Sequence, residues 1–472
     1  MTTTPPSPER PIWLIPFVVA AALFMENLDA SAIATALPVI ARDLGEDPVI
    51  LKLALTSYLI ALAVFIPVSG WCADRFGARV VFQAAIVVFV VASVSCGAAQ
   101  SLEQLVIARA LQGVGGAMMV PVGRLILLRA VPKERLVEAL AYLTIPALIA
   151  PTVGPPLSGL ITTMLDWRWI FWINVPVGVV GFALAARYME NVRALEHDRL
   201  DWLGFLFAGT ALSTLIFGFT IMGRDFVPLW VAPGLIAIGA ASATAYIVHA
   251  RRTPRPLLDL KLFAIPTFAT SVLGGGLFRL GIGAIPFLLP LMLQDGFGLT
   301  ALEAGLVTFT AAFGAVLMKF AARPILKRFG FRQVLTVNAI ICGALLAIHA
   351  LFTPATPWLL ISTVLFVGGV FRSLQFTALN AIAYADVDEA KMSTATATIA
   401  VAQQFFLSAG VAVAAFALEA ARASRSGAAL APQDFSTAFL VIAAITVVAA
   451  FLHARLSDDA GAKVSGRAAI AS

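Results

Sequence analysis

Residues 70–79 read GWCADRFGAR, and they sit where one apolar run, 51–71, gives way to another, 79–99. Residues 321–332, AARPILKRFGFR, sit in the same way between the runs 300–321 and 333–353. Aligning the two pairs Gly77 with Gly330 and Arg75 with Arg328. A glycine among basic residues between two apolar runs suits a tight turn, because glycine reaches backbone conformations closed to other residues. The recurrence implies two related halves, each built around such a turn. Paired halves enclosing a central site are a recurring design of membrane transporters.

Working outward, windows of about 20 apolar residues mark candidate bilayer spans. The first half, 12–188, holds the runs 12–36, 51–71, 79–99, 104–126, 137–163 and 169–188. The second half, 265–454, holds 265–293, 300–321, 333–353, 357–378, 394–419 and 436–454. Two further runs, 202–222 and 227–249, form an inserted segment, 202–249. The expected fold is therefore an all-α polytopic membrane protein of fourteen transmembrane helices, two six-helix bundles plus two inserted helices. Residues 1–11 and 455–472 are expected as cytoplasmic tails, the second rich in small residues and disordered.

Composition agrees. Sixty per cent of the 472 residues are hydrophobic, 12% are charged, and mean hydropathy is +0.94. A soluble domain carries about 25% charged residues, so the bilayer must be the solvent. The net charge of +6 is explained by topology rather than by nucleic acid. With the N-terminus inside, 22 of the 32 Lys and Arg residues fall in cytoplasmic segments and six outside, as the positive-inside rule requires. Both termini are then cytoplasmic, in a cell inner membrane of bacterial type. Glu26 and Asp29 argue against reading the first run as a cleaved signal peptide. Cys72, Cys96 and Cys342 have no paired spacing and read as small core residues.

The candidate functional residues are the charges inside the runs. Glu26 and Asp29 lie three apart, on one face of the first helix. A carboxylate in hydrocarbon is costly unless paired or hydrated, and such residues mark pathways. Arg109, in LVIARALQGVGGAMM, has no charged neighbour in sequence and needs a carboxylate or a hydrated cavity. Gln112, Gly113 and Gly116 share its face. Asp74, Arg75 and Arg79, with Gly70 and Gly77, can bridge the two halves in one conformational state. APTVGPPLSG brings Gly154, Pro155, Pro156 and Gly159 into the fifth run, where proline weakens a helix. In the second half Arg279, Arg372, Gln375, Asn380, Gln403 and Gln404 are candidates to line a central cavity. Two mid-membrane arginines would favour a substrate with a negative group, and could equally pair with Glu26 or Asp29. Lys319, near the inner end of its run, is placed to snorkel. Trp167, Trp169 and Trp172 read as an interfacial aromatic belt.

These residues resemble the major facilitator superfamily. GWCADRFGAR is similar to its cytoplasmic signature, LVIARALQGVGGA to its arginine motif in the fourth span, and APTVGPPLSG to its antiporter motif. LDASAIATALPVIARDL resembles the first-span motif of the fourteen-span drug:proton antiporters typified by EmrB and QacA, and RALQGVGGAMMVPVGRLILLR resembles their MdtD/HsrA-like branch. The resemblance implies alternating access and proton-driven export. Asp29 would be the first-span acid, Asp74 the gating acid, Arg109 the proton-relay arginine, and Gly154 with Pro155 the antiporter kink. Cys72, Ala78, Ala150 and Ser158 depart from the motifs, and Glu26 is no part of them.

No G-x-x-x-x-G-K-[ST] loop is present, so ATP is not expected as driver. The four histidines are scattered and no metal cluster, cofactor motif or catalytic constellation is visible. The expected partners are protons, a small-molecule substrate and the lipid bilayer, with no oligomeric state indicated. Export of drugs or related organic compounds in exchange for protons is the leading expectation. A dedicated carrier of an organic anion or metabolite is the alternative, and a non-transporting receptor or scaffold a remote one.

Overall fold

A computed structural model describes residues 14–46, 48–193, 199–221, 228, 230–299, 301–425 and 431–467. The expected N-terminal tail, 1–11, and the last residues, 468–472, lie outside the described residues. The first bundle comprises α1 (Leu14–Leu44), α2 (Pro48–Phe65), α3 (Ser69–Phe76), α4 (Ala78–Gly97), α5 (Leu102–Ala130), α6 (Leu136–Met164), α7 (Trp169–Trp172) and α8 (Asn174–Tyr188). The inserted pair is α9 (Trp202–Ile221) and α10 (Val231–Arg252). The second bundle comprises α11 (Pro266–Ala269), α12 (Gly275–Gly283), α13 (Ile285–Leu291), α14 (Ala301–His349), α15 (Trp358–Ile382), α16 (Met392–Ser424), α17 (Pro432–His453) and the short α18 (Ala462–Ser465). Helices are what hydrocarbon permits, since they satisfy every backbone group internally.

Among the described residues twelve helices are long and apolar enough to cross a membrane, where fourteen were expected. One of the twelve, α14, carries two expected runs, 300–321 and 333–353, and turns at Gly330 (φ 75°, ψ 167°). The expected run 137–163 corresponds to α6, a 29-residue helix outside that twelve. Gly77 and Gly330, the glycines aligned by the repeat, both adopt positive φ, 96° and 75°. Both mark the end of the molecule that carries the basic loops, called here the basic end.

Packing follows the small-residue logic of membrane helices. A Cβ on Gly113 would lie 2.4 Å from the Tyr58 carbonyl oxygen, so α5 and α2 touch backbone to backbone. A Cβ on Gly369 would lie 2.0 Å from the Ala311 carbonyl oxygen, which joins α15 to α14 in the same way. The outer faces are apolar: Ile107, Phe320 and Phe451 are each 70% exposed, which suits lipid and not water. Leu212 and Ile216 of α9 pack on Ala63 of α2 and on Val401 and Phe405 of α16. Helix α9 thus lies along the seam between the bundles and touches both.

Three expectations are corrected. Trp167 is buried, and its indole N–H donates to Asp43 at 2.9 Å, so it locks a loop rather than anchoring in the interface. Lys319 does not snorkel; it is buried and its Nζ donates to Thr377 Oγ1 at 2.7 Å. The C-terminal segment is ordered through residue 467. Leu456 and Val464 are buried, Asp458 pairs with Arg332 at 2.9 Å, and α18 packs against the turn Lys133–Arg135 of the first bundle. Sparse but well-placed apolar residues hold this segment where composition suggested disorder.

Candidate functional site

The first-span acid and the fourth-span arginine meet. Arg109 donates to Asp29 at 2.6 Å, with both side chains fully buried. The same guanidinium nitrogen donates to Gln112 Oε1 at 2.6 Å, and Gln112 returns a bond from Nε2 to Asp29 Oδ1 at 3.0 Å. Helix spacing makes this closed triangle possible, because Arg109 and Gln112 are one turn apart on α5. Asn174, at the start of α8, donates to Asp29 Oδ1 at 3.1 Å and to Ser93 Oγ at 2.9 Å. The Arg109 guanidinium also lies 4.4 Å above the Tyr58 ring. Tyr58 in turn donates its hydroxyl to Glu26 Oε1 at 3.2 Å, while Glu26 Oε2 is buried without a partner among the described residues. Glu26 and Asp29, adjacent on α1, are therefore joined through Tyr58 and Arg109. A buried pair of this kind resists the loss of either member, which costs about 3–5 kcal/mol by leaving one charge uncompensated.

At the basic end the two bundles are joined. Asp74 pairs with Arg129 at 3.1 Å and accepts a short hydrogen bond from Ser393 at the start of α16. A Cβ on Gly70 would come within 2.8 Å of the Ser393 carbonyl oxygen, so α3 and α16 are in backbone contact there. Arg323 pairs with Glu138 at 2.9 Å, and Lys133 donates to the Ala385 carbonyl at 3.0 Å. Arg79 acts differently from the expectation: it donates to the Met189 carbonyl at 3.3 Å, within its own bundle. Arg75 is exposed. Bridging falls to Asp74, with Ser393 as the partner across the bundles and Arg129 as its ion-pair partner within its own.

Helix α6 runs without interruption through the Gly154–Gly159 segment. Gly154 faces α1, where a Cβ would lie 1.9 Å from Ser31 Oγ. Ser158 Oγ donates to the Ala32 carbonyl at 2.8 Å, so the serine that departs from the motif adds a bond on the same face. A Cβ on Gly159 would meet nothing within 4 Å. Pro155 lies within α6.

In the second bundle Arg279 donates to Asn380 Oδ1 at 3.1 Å, and Gln403 Nε2 donates to the same oxygen at 3.1 Å. These three expected residues come together from α12, α15 and α16. Gln375 does not join them: it is fully buried, bonded to Asn338 and to the Leu335 carbonyl. Arg372, half-buried on α15, forms no hydrogen bond or ion pair with them among the described residues. Gln404 is half-buried on α16. Residues absent from the expected set are Tyr58, Ser93, Asn174, Arg129 and Ser393. Asn174 carried a signal, being the one amide in its apolar span; the hydroxyl residues carried none.

The Major Facilitator Superfamily profile matches residues 19–274 and 271–469. The chain belongs to the major facilitator superfamily. This transporter is 35% identical over 464 residues to a Klebsiella pneumoniae protein provisionally named multidrug resistance protein MdtD, covering 98% of this chain and 97% of that one. The bearer of the same name in Escherichia coli O6:H1 is 35% identical over 463 residues, covering 97% of each. Among solved structures the fold is similar to the proton:xylose symporter XylE (TM-score 0.65, 15% identity, 93% of this chain and 94% of that one). It is also similar to the human organic anion transporter MFSD10 (TM-score 0.67, 13% identity, 94% and 100%). At such identities these likenesses establish the fold alone. The chain is thus a multi-pass secondary transporter of small molecules and not an enzyme.

Proposed function

We propose that this transporter exports drugs or other small organic compounds across a bacterial inner membrane in exchange for protons, and that Asp29 and Arg109 carry the coupling. The observation behind this reading is the fully buried Asp29–Arg109 pair, braced by Gln112 and Asn174. A proton arriving at Asp29 cancels its charge and leaves Arg109 without its counter-ion. In hydrocarbon that is a large perturbation. Glu26 is the nearest replacement, already linked to the Tyr58 ring beneath Arg109. A shift of Arg109 towards Glu26 would loosen α5 from α1 and connect proton binding to movement of the bundles. The MdtD relatives supply the drug-export element of the proposal.

The basic end is read as cytoplasmic, with both termini inside. The α14 helix is counted as two crossings and α6 as one, which gives six, two and six. The arrangement is then closed towards the cytoplasm by Gly70, Asp74 and Ser393, the stage at which an exporter has delivered substrate outward and takes up a proton. Purified protein in liposomes carrying a pH-sensitive dye tests the coupling. Addition of a transported compound should move protons in the opposite direction. Transport unaccompanied by proton movement, in a panel of compounds that are demonstrably carried, would refute it.

A further inference from the structure

We propose that residues 455–467 are a latch, carried by the second bundle and seated on the first, that sets how readily the basic end opens. The segment follows α17 and is fastened first to its own bundle. Arg332 donates from Nε to the Ala454 carbonyl at 3.0 Å and pairs with Asp458 at 2.9 Å. Arg467 donates to the Phe329 carbonyl at 3.4 Å. Gly461, at φ 68°, lies so close to the fully buried Phe331 that a Cβ would come within 2.7 Å of the ring. The first half begins in the same way. Arg79, which the repeat aligns with Arg332, donates to the Met189 carbonyl just beyond α8. There the chain runs on into the inserted pair, whereas after α17 it reaches across to the other bundle.

The crossing is made by α18. It packs on α14 of its own bundle and, in the first bundle, on α6 and on the turn Lys133–Arg135 that precedes α6. Val464 and Ser465 are each 1% exposed, although every residue of that turn is itself exposed. The turn is held at a second point, where Lys133 Nζ donates to the Ala385 carbonyl just beyond α15 at 3.0 Å. The α5–α6 connection of the first bundle is thus gripped by two parts of the second, the stretch after α15 and the C-terminal segment. Parting the bundles at this end pulls α18 off the turn and wets the apolar surface under it. Burial of one valine is worth about a factor of ten in such an equilibrium. The latch therefore favours the sealed state from outside the Asp29–Arg109 network, touching none of its members.

Pulsed dipolar spectroscopy in phosphatidylglycerol-containing nanodiscs tests this, with spin labels at Arg187 and Glu389, exposed on the first and second bundles and outside the latch. Cys72, Cys96 and Cys342 would first be replaced. Val464→Asp, and separately a chain ending at Leu456, should each raise the share of the long distance relative to the short one about tenfold. Val464→Ala, too mild to prevent folding, should raise it about threefold, one methyl group's worth. Unchanged distances in a folded Val464→Ala protein and in either stronger variant overturn the proposal. A lowered melting temperature with unchanged distances overturns it equally, since the segment would then be structural only. No substrate and no gradient enter the measurement, so failure of the latch leaves the proton reading intact, and absence of proton movement leaves the latch intact.

Discussion

Replacing Gly70 with valine perturbs the seal at the basic end and nothing in the ion-pair network. The new Cβ would lie 2.8 Å from the Ser393 carbonyl oxygen and 3.0 Å from its carbon. Both are backbone atoms of α16, so no side-chain rotation relieves the clash. Overpacking of this kind costs about 1–3 kcal/mol. The cost arises only while α3 and α16 are in contact, so the variant should shift the population away from the sealed state roughly 5- to 150-fold, at 1.4 kcal/mol per factor of ten. Spin labels at Glu134 and Glu389, exposed on opposite bundles at the basic end, would report the change by pulsed dipolar spectroscopy. Cys72, Cys96 and Cys342 would first be replaced. The variant should show a longer distance or a greater share of it. An unchanged distribution in a folded Gly70→Val protein refutes the assignment of this contact as the seal.

Other expectations concern the network and its supports. Asn174→Ala removes a donor from Asp29 and should destabilise the detergent-solubilised protein by about 1–3 kcal/mol; in an Asp29→Asn background the same change should cost less, and equal costs would deny the coupling. Gly154→Leu should lower folded yield and transport because α1 passes so close, whereas Gly159→Leu, with open space around it, should be tolerated in melting experiments. Asp43 lies outside the spans, and the Trp167 hydrogen bond, together with Arg168, holds its carboxyl below the usual value despite partial burial. Its folded value being depressed, its contribution is full above roughly pH 4 and lost as pH falls further. The difference in melting temperature between parent and Asp43→Asn should therefore shrink as pH drops below that point, and a pH-independent difference would count against it.

The fold was largely legible because the bilayer imposes a simple rule on length and polarity, and because Gly77 and Gly330 mark equivalent turns. The site was legible where a charge stood alone in an apolar run. Arg109 had to find a carboxylate, and the first run offered Glu26 and Asp29. Which of its two acids it would choose was not legible, since Glu26 and Asp29 share a helix face and differ by less than one turn. Arg372 and Gln375 show the limit in the second half. They share α15 with Asn380, yet Gln375 turns into the bundle towards Asn338, and helix period alone does not say which face a neighbour occupies. Ser393 and Asn174 had no charge to announce them. Burial is tertiary information, and so is the docking of residues 455–467 through Leu456 and Val464.

The most direct test is transport by Asp29→Asn in proteoliposomes, measured both as substrate counterflow without a gradient and as uptake driven by an imposed pH gradient. Asn keeps the size of the side chain and loses the site of protonation. The account predicts that counterflow continues while gradient-driven accumulation disappears. Full accumulation by Asp29→Asn, driven by the pH gradient alone, would contradict it.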